Sequence, residues 1–146
     1  MKNKNLLLID TSSTFAQISL ADDEKVFDEE SWEVIRNLSD KLLPNIEKLM
    51  AKNKVKPEDL NGVIIYLGPG TYTGLRVGVT VANAFAYSLD IPIAGVKGKS
   101  FGNEKFIVSE LKPIDLEKLL AKGKKILANK SEKSVAPFYG KKPNVG

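Results

Sequence analysis

The first two thirds of the chain alternate short apolar runs with polar turns. Leu6-Leu7-Leu8-Ile9 is an unbroken apolar run within Asn5 to Thr11 and predicts a buried strand. Phe15, Gln17 and Ser19 then alternate with Ala16, Ile18 and Leu20, the two-residue period of a half-buried strand. Asp22-Asp23-Glu24 predicts a turn, and Lys25 to Val34 a third strand with Val26, Phe27 and Trp32 as its core positions. Three strands joined by short turns predict an antiparallel meander.

The period then changes. Leu38, Leu42, Ile46, Leu49 and Met50 share one helical face and predict an amphipathic helix over Leu38 to Lys52. Asn37 or Ser39 can cap it, and Pro44 inside it removes one backbone bond. Pro57 to Leu60 reads as a turn, Val63 to Leu67 as a strand, Val77 to Leu89 as a helix and Ile91 to Val96 as a fifth strand. The order βββαβαβ predicts an α/β fold with a mixed five-stranded sheet. Further on, Lys105 to Leu111 is a candidate strand. Asp115 is placed to cap a helix over Leu116 to Lys122 that Gly123 would end, and Ser134 to Gly146 reads as a loose tail.

Between the fourth strand and the second helix lies Gly68-Pro69-Gly70-Thr71-Tyr72-Thr73-Gly74-Leu75-Arg76. Its glycines and proline force a tight turn that leads backbone N–H groups into a helix N-terminus, suited to an anion or to a closely packed partner. It is not a Walker A loop, for no lysine follows Gly74, and its spacing is not G-x-G-x-x-G. With Thr73 as cap, Arg76 falls in the first helical turn, where the dipole disfavours a cation. Either a structural ion pair compensates it, or it serves a partner or anion. Gly74, Gly78, Ala82 and Ala86 recur every four residues as a bare stripe. That stripe can pack on this chain's own sheet. Val77, Val79, Val81 and Phe85 already supply apolar faces for the sheet, however, which leaves the stripe for a partner.

Composition narrows the chemistry. The chain has 146 residues, enough for one domain, and it contains neither cysteine nor histidine. Disulfides, thiolate catalysis, a Ser-His-Asp triad and histidine-ligated zinc are therefore excluded within it. No apolar run reaches membrane-spanning length, and a cytoplasmic location is expected. The net charge of +4 is uneven. Residues 1–96 carry 10 basic and 13 acidic side chains, a net −3; residues 97–146 carry 12 lysines and 5 acids, a net +7. The lysines read either as a solvated surface or as a basic patch for RNA, without the aromatic residues that usually accompany one. No acidic cluster looks dedicated to a metal. Asp10-Thr11-Ser12, at the end of the first strand, can either organise a hairpin turn or face a phosphate, although that turn lacks glycine.

Four stretches taken together carry a resemblance: Leu8 to Ser13, Leu38 to Pro44, Gly68 to Arg76 with Gly78, and Ile91 to Val96. In wording, order and spacing they resemble the TsaB (YeaZ) family of tRNA threonylcarbamoyladenosine biosynthesis proteins, over about residues 5–98. Pro137-Phe138-Tyr139-Gly140 is a fainter echo of that family's C-terminal end. The resemblance implies an actin-like (ASKHA, ribonuclease H-like) lobe over residues 1–98. Residues 99–146 are then a short lysine-rich remnant of the second lobe and a tail.

It also implies a non-catalytic subunit, without cofactor, metal or catalytic residues. This subunit would pair through its two helices with a TsaD-type enzyme that modifies adenosine-37 of tRNA. A TsaE-type ATPase joins the complex, tRNA is met indirectly, and a homodimer forms in isolation. The implied partner surface comprises Leu38, Leu42, Ile46, Gly74, Gly78, Ala82 and Ala86, with Gly68, Pro69, Gly70, Thr73 and Arg76 as the structural turn. Leu38 stands where the family usually has histidine. An independent actin-fold ATPase or peptidase, with Asp10, Thr11 and Ser12 at a nucleotide, is the competing expectation. A small basic RNA-binding module is the third.

Overall fold

The computed structural model describes residues 4–98, 113–129 and 135. Five strands form one sheet: β1 (Leu6–Asp10), β2 (Phe15–Ala21), β3 (Val26–Glu33), β4 (Gly62–Tyr66) and β5 (Ile93–Val96). Their spatial order is β3-β2-β1-β4-β5. The predicted meander is present, with β2 antiparallel to both β1 and β3. β4 runs parallel to β1 and β5 parallel to β4. Helices α1 (Leu38–Lys52) and α2 (Tyr72–Leu89) interrupt the strands, and α3 (Leu116–Asn129) follows them. The mixed α/β lobe expected from the sequence is therefore the one observed.

Two apolar layers hold it together. On one face Leu7, Ile9, Ile18, Val63 and Ile65 pack with Leu42 and Ile46 of α1 and Val79 and Ala82 of α2. On the other, Leu6, Leu8, Ile64, Tyr66 and Val96 pack with Leu116, Leu119 and Leu120 of α3. β1 and β4 are buried on both faces, which is why they read as continuous apolar runs. α3, beyond residue 98, packs on the same sheet.

Three expectations need correction. Gly123 does not end α3, which continues to Asn129. Its missing side chain lets the helix approach β4, since a Cβ there would strike the Ile64 side chain. Asp115 does cap α3, its carboxylate accepting from the N–H groups of Glu117 at 2.9 Å and Lys118 at 3.2 Å. The polar face of β2 is not solvated: Gln17 and Ser19 are buried beneath the second layer. Phe27 is 39% exposed because β3 is the edge strand. The candidate strand over Lys105 to Leu111 lies outside the described residues, as does all of the expected tail except Val135.

Candidate functional site

The glycine-rich turn is built around the end of β1. Gly68 has φ 102°, a left-handed conformation that suits glycine, and its carbonyl accepts from Gly98 N–H at 2.6 Å. The Gly68–Pro69 peptide is cis. Gly70 lies flat on Ser12, so close that a Cβ would stand 2.6 Å from the Ser12 carbonyl oxygen, and Thr71 N–H donates to that carbonyl at 3.0 Å. Thr71, not Thr73, caps α2, its hydroxyl accepting from Gly74 N–H at 3.2 Å. The Thr11 hydroxyl donates to the Gly74 carbonyl at 2.6 Å, and side chains at Gly74 or Gly78 would collide with Thr11. Ser12 thus packs against the turn, and Thr11 against the first turns of the helix.

Asp10 is closed in the same way. Its Oδ1 accepts from Ser12 N–H at 3.0 Å and from the Ser12 hydroxyl at 2.6 Å. Its Oδ2 accepts from Gln17 Nε2 at 3.0 Å and from Ile114 N–H at 3.1 Å. Burial pushes the carboxyl above its ordinary range, against the pull of these four donors, the Ser12 hydroxyl first among them. Asp10, Thr11 and Ser12 are all but inaccessible, so the three residues considered for a nucleotide are turned inward. Among the described residues no group of three acidic, histidine or cysteine side chains could hold a metal ion.

The residues expected at a partner surface lie against this chain's own core. Leu38, Leu42 and Ile46 are buried beneath α1. Gly74, Gly78, Ala82 and Ala86 are buried beneath α2. The bare stripe is what lets α2 settle onto Thr11 and the sheet. Val77, Val81 and Phe85, assigned in sequence to the sheet, are only partly buried. They line the seam between α1 and α2. Val79, expected at the sheet with them, is buried against it, so α2 meets the sheet through Val79 and the small residues together, because close approach to a backbone demands small side chains.

The seam holds the accessible features of the site. Toward the C-terminal ends of both helices a groove of about 980 Å³ is lined by Leu43, Met50, Val55, Ala84, Phe85 and Leu89, with Glu47, Lys54 and Lys56 among its polar members. Leu43 is 45% exposed beside it. Toward the N-terminal ends a smaller depression of about 390 Å³ lies between Ser39 of α1 and Tyr72, Thr73, Arg76 and Thr80 of α2. Arg76 donates through Nη1 to the Tyr72 hydroxyl at 3.0 Å, and its guanidinium sits 5.4 Å from the centre of that ring. The structural ion pair expected for it is not formed: among the described residues the one salt bridge joins Lys52 and Asp28. The sequence signal for the seam was Leu43, outside the core stripe of α1, together with Val77, Val81, Phe85 and Leu89 at helical spacing on α2.

Comparison with known proteins adds the following. The family model described as "TsaD: tRNA N6-adenosine threonylcarbamoyltransferase" matches residues 32–98, a span that includes both seam helices. The chain is 38% identical over 91 residues to "tRNA threonylcarbamoyladenosine biosynthesis protein TsaB" of Bacillus subtilis, covering 62% of this chain and 40% of that one. It is 33% identical over 100 residues to the protein of the same name from Buchnera aphidicola, covering 68% and 47%. In structure it is similar to YeaZ from Pseudomonas aeruginosa, with a TM-score of 0.60 at 24% identity over 64% of this chain and 44% of that one. The chain spans less than half the length of these relatives.

Proposed function

The chain belongs to the TsaB (YeaZ) family, and on that premise we propose that it is a non-catalytic partner subunit of a TsaD-type enzyme in the threonylcarbamoylation of adenosine-37 of tRNA. The observation that carries this reading is the α1–α2 seam. Its large groove is overwhelmingly apolar, and among the described residues no element of this chain covers Leu43, Phe85 and Leu89 on its walls. Such a surface fits helices of another subunit, which would bury it in the manner of a helix bundle. The relatives' names supply the pathway.

The inward-facing chemistry supports the non-catalytic part. Both oxygens of Asp10 are engaged by donors of the chain itself, and the turn that would approach a phosphate is packed on Thr11 and Ser12. The partner contact is made by the outward faces of α1 and α2, and a TsaE-type ATPase joins the resulting complex.

The test mixes the full chain with the TsaD-type and TsaE-type proteins of its own organism. Complex formation is followed by sedimentation, and threonylcarbamoyladenosine by mass spectrometry of digested tRNA. A complex that forms with the wild type and supports modification is expected. Absence of a complex, or hydrolysis of ATP or peptide by the isolated chain that Asp10→Ala abolishes, would overturn the reading.

A further inference from the structure

The two ends of the seam differ in chemistry. The groove beside Leu43 and Phe85 is apolar, while the depression at the N-terminal ends is lined by Val77 and Val81 together with the hydroxyl-bearing Ser39, Thr73 and Thr80. Arg76 stands at its rim. A helical side chain leans toward the helix N-terminus, so the guanidinium covers the first turn of α2, where Tyr72 holds it by stacking and by one hydrogen bond. That turn is the positive end of the helix dipole, a poor place for a cation unless an acid accompanies it. Among the described residues no carboxylate lies within ion-pair distance of it. The Tyr72 contacts take one guanidinium nitrogen and one face of an exposed side chain, and the other donors of its rigid fork make no hydrogen bond among the described residues.

We infer that Arg76 is the receptor for a carboxylate side chain of the partner subunit, which seats beside Ser39, Thr73 and Thr80 while the partner's apolar side chains enter the Leu43–Phe85 groove. This rests on the proposed docking at the α1–α2 seam and adds what fixes its register. An apolar groove alone tolerates sliding by a helical turn. A charged contact at one end does not, because the carboxylate would be desolvated without its cation in every other register. Guanidinium–carboxylate pairing accounts for an arginine here, since its fork matches two carboxylate oxygens at once.

The experiment measures binding of the full chain to the TsaD-type subunit at low and at moderate salt. It compares wild type, Arg76→Gln, Arg76→Glu and Leu43→Glu, with thermal unfolding recorded for each. Arg76→Gln is expected to weaken binding by about tenfold or more and to flatten its salt dependence, with an unchanged melting temperature. Arg76→Glu is expected to weaken it further. If Leu43→Glu abolishes binding while both Arg76 variants bind at wild-type strength, the seam stands and the carboxylate receptor falls. Weaker binding with unaltered salt dependence, or a matching loss of thermal stability, also overturns the inference. If wild type does not bind, or Leu43→Glu binds as wild type does, the seam reading fails and this one with it.

Discussion

The Thr11 hydroxyl donates a 2.6 Å hydrogen bond to the carbonyl of Gly74, a residue 63 positions away, and so ties the end of β1 to the first turn of α2. The bond is possible only because Gly74 and Gly78 bring the helix backbone down onto Thr11. These glycines therefore act on stability before they act on any partner. Gly78→Ala is expected to lower unfolding free energy by about 1–3 kcal/mol, the ordinary penalty for forcing atoms into a packed site. Thr11→Val is expected to cost about 1 kcal/mol through the lost bond. Urea unfolding checks both, and a Gly78→Ala protein as stable as wild type would refute the packing argument.

Ser19 offers the opposite outcome. Its hydroxyl is buried in the layer under α3 and has no hydrogen-bond partner among the described residues. Such a group costs roughly 1–3 kcal/mol when it is taken out of water unpaired. Ser19→Ala is accordingly expected to leave the melting temperature unchanged or to raise it. A marked fall would mean that the hydroxyl has a bound water or other partner.

Asp10 and Asp28 give stability two opposing dependences on pH. Burial raises Asp10 above its unfolded value of 3.8, so its contribution is complete below that value and is lost as pH rises through the folded pKa. Asp28 is lowered, first by the hydrogen bond from Asn53 and then by Lys52, so its contribution is present above the unfolded value and is lost as pH falls. The stability advantage of wild type over Asp10→Asn should therefore be greatest in acid and shrink toward neutral pH. For Asp28→Asn the advantage should vanish in acid. Denaturant titrations across pH 3–8 read both slopes, and an Asp10 advantage that grows with pH would contradict the account.

Leu43 is the test of the seam without a partner. We expect the isolated chain to self-associate through the groove, since an identical surface across a two-fold axis is the simplest cover for it. Leu43→Glu replaces a half-exposed side chain, so its folding stability should stay within about 0.5 kcal/mol of wild type. Its sedimentation should remain monomeric at concentrations where wild type dimerises. A wild-type chain that stays monomeric at high micromolar concentration would refute the dimer. A dimer that survives Leu43→Glu would move it to another surface.

The legible and illegible parts of this fold divide along one physical line. Strands buried on both faces announce themselves, as Leu6 to Ile9 and Val63 to Ile65 did, because burial on both sides demands apolar residues throughout. The amphipathic stripe of α1 was equally plain. What one-dimensional pattern could not supply was distance. Gly123 looks like a helix stop, yet it is a contact with Ile64. The stripe from Gly74 to Ala86 looks like an open interface, yet it fits the helix to Thr11 and the sheet. Asp10 looks like a site, but its fourth donor arrives from Ile114, 104 residues later. In each case the deciding neighbour is remote in sequence, and composition nearby gives no hint of it.

The position of α3 has a consequence for synthesis. The five described strands have been made once Val96 is added, but among the described residues the sheet face built from Leu8, Ile64 and Val96 finds its cover only when Leu116, Leu119 and Leu120 emerge. Asp10 likewise waits for the Ile114 N–H. At about 5–20 residues per second, those roughly twenty residues leave a greasy, half-finished sheet on the ribosome for roughly 1–4 s. During that interval the nascent chain is at its most adhesive, and its best protection is whatever chaperone meets it at the tunnel exit.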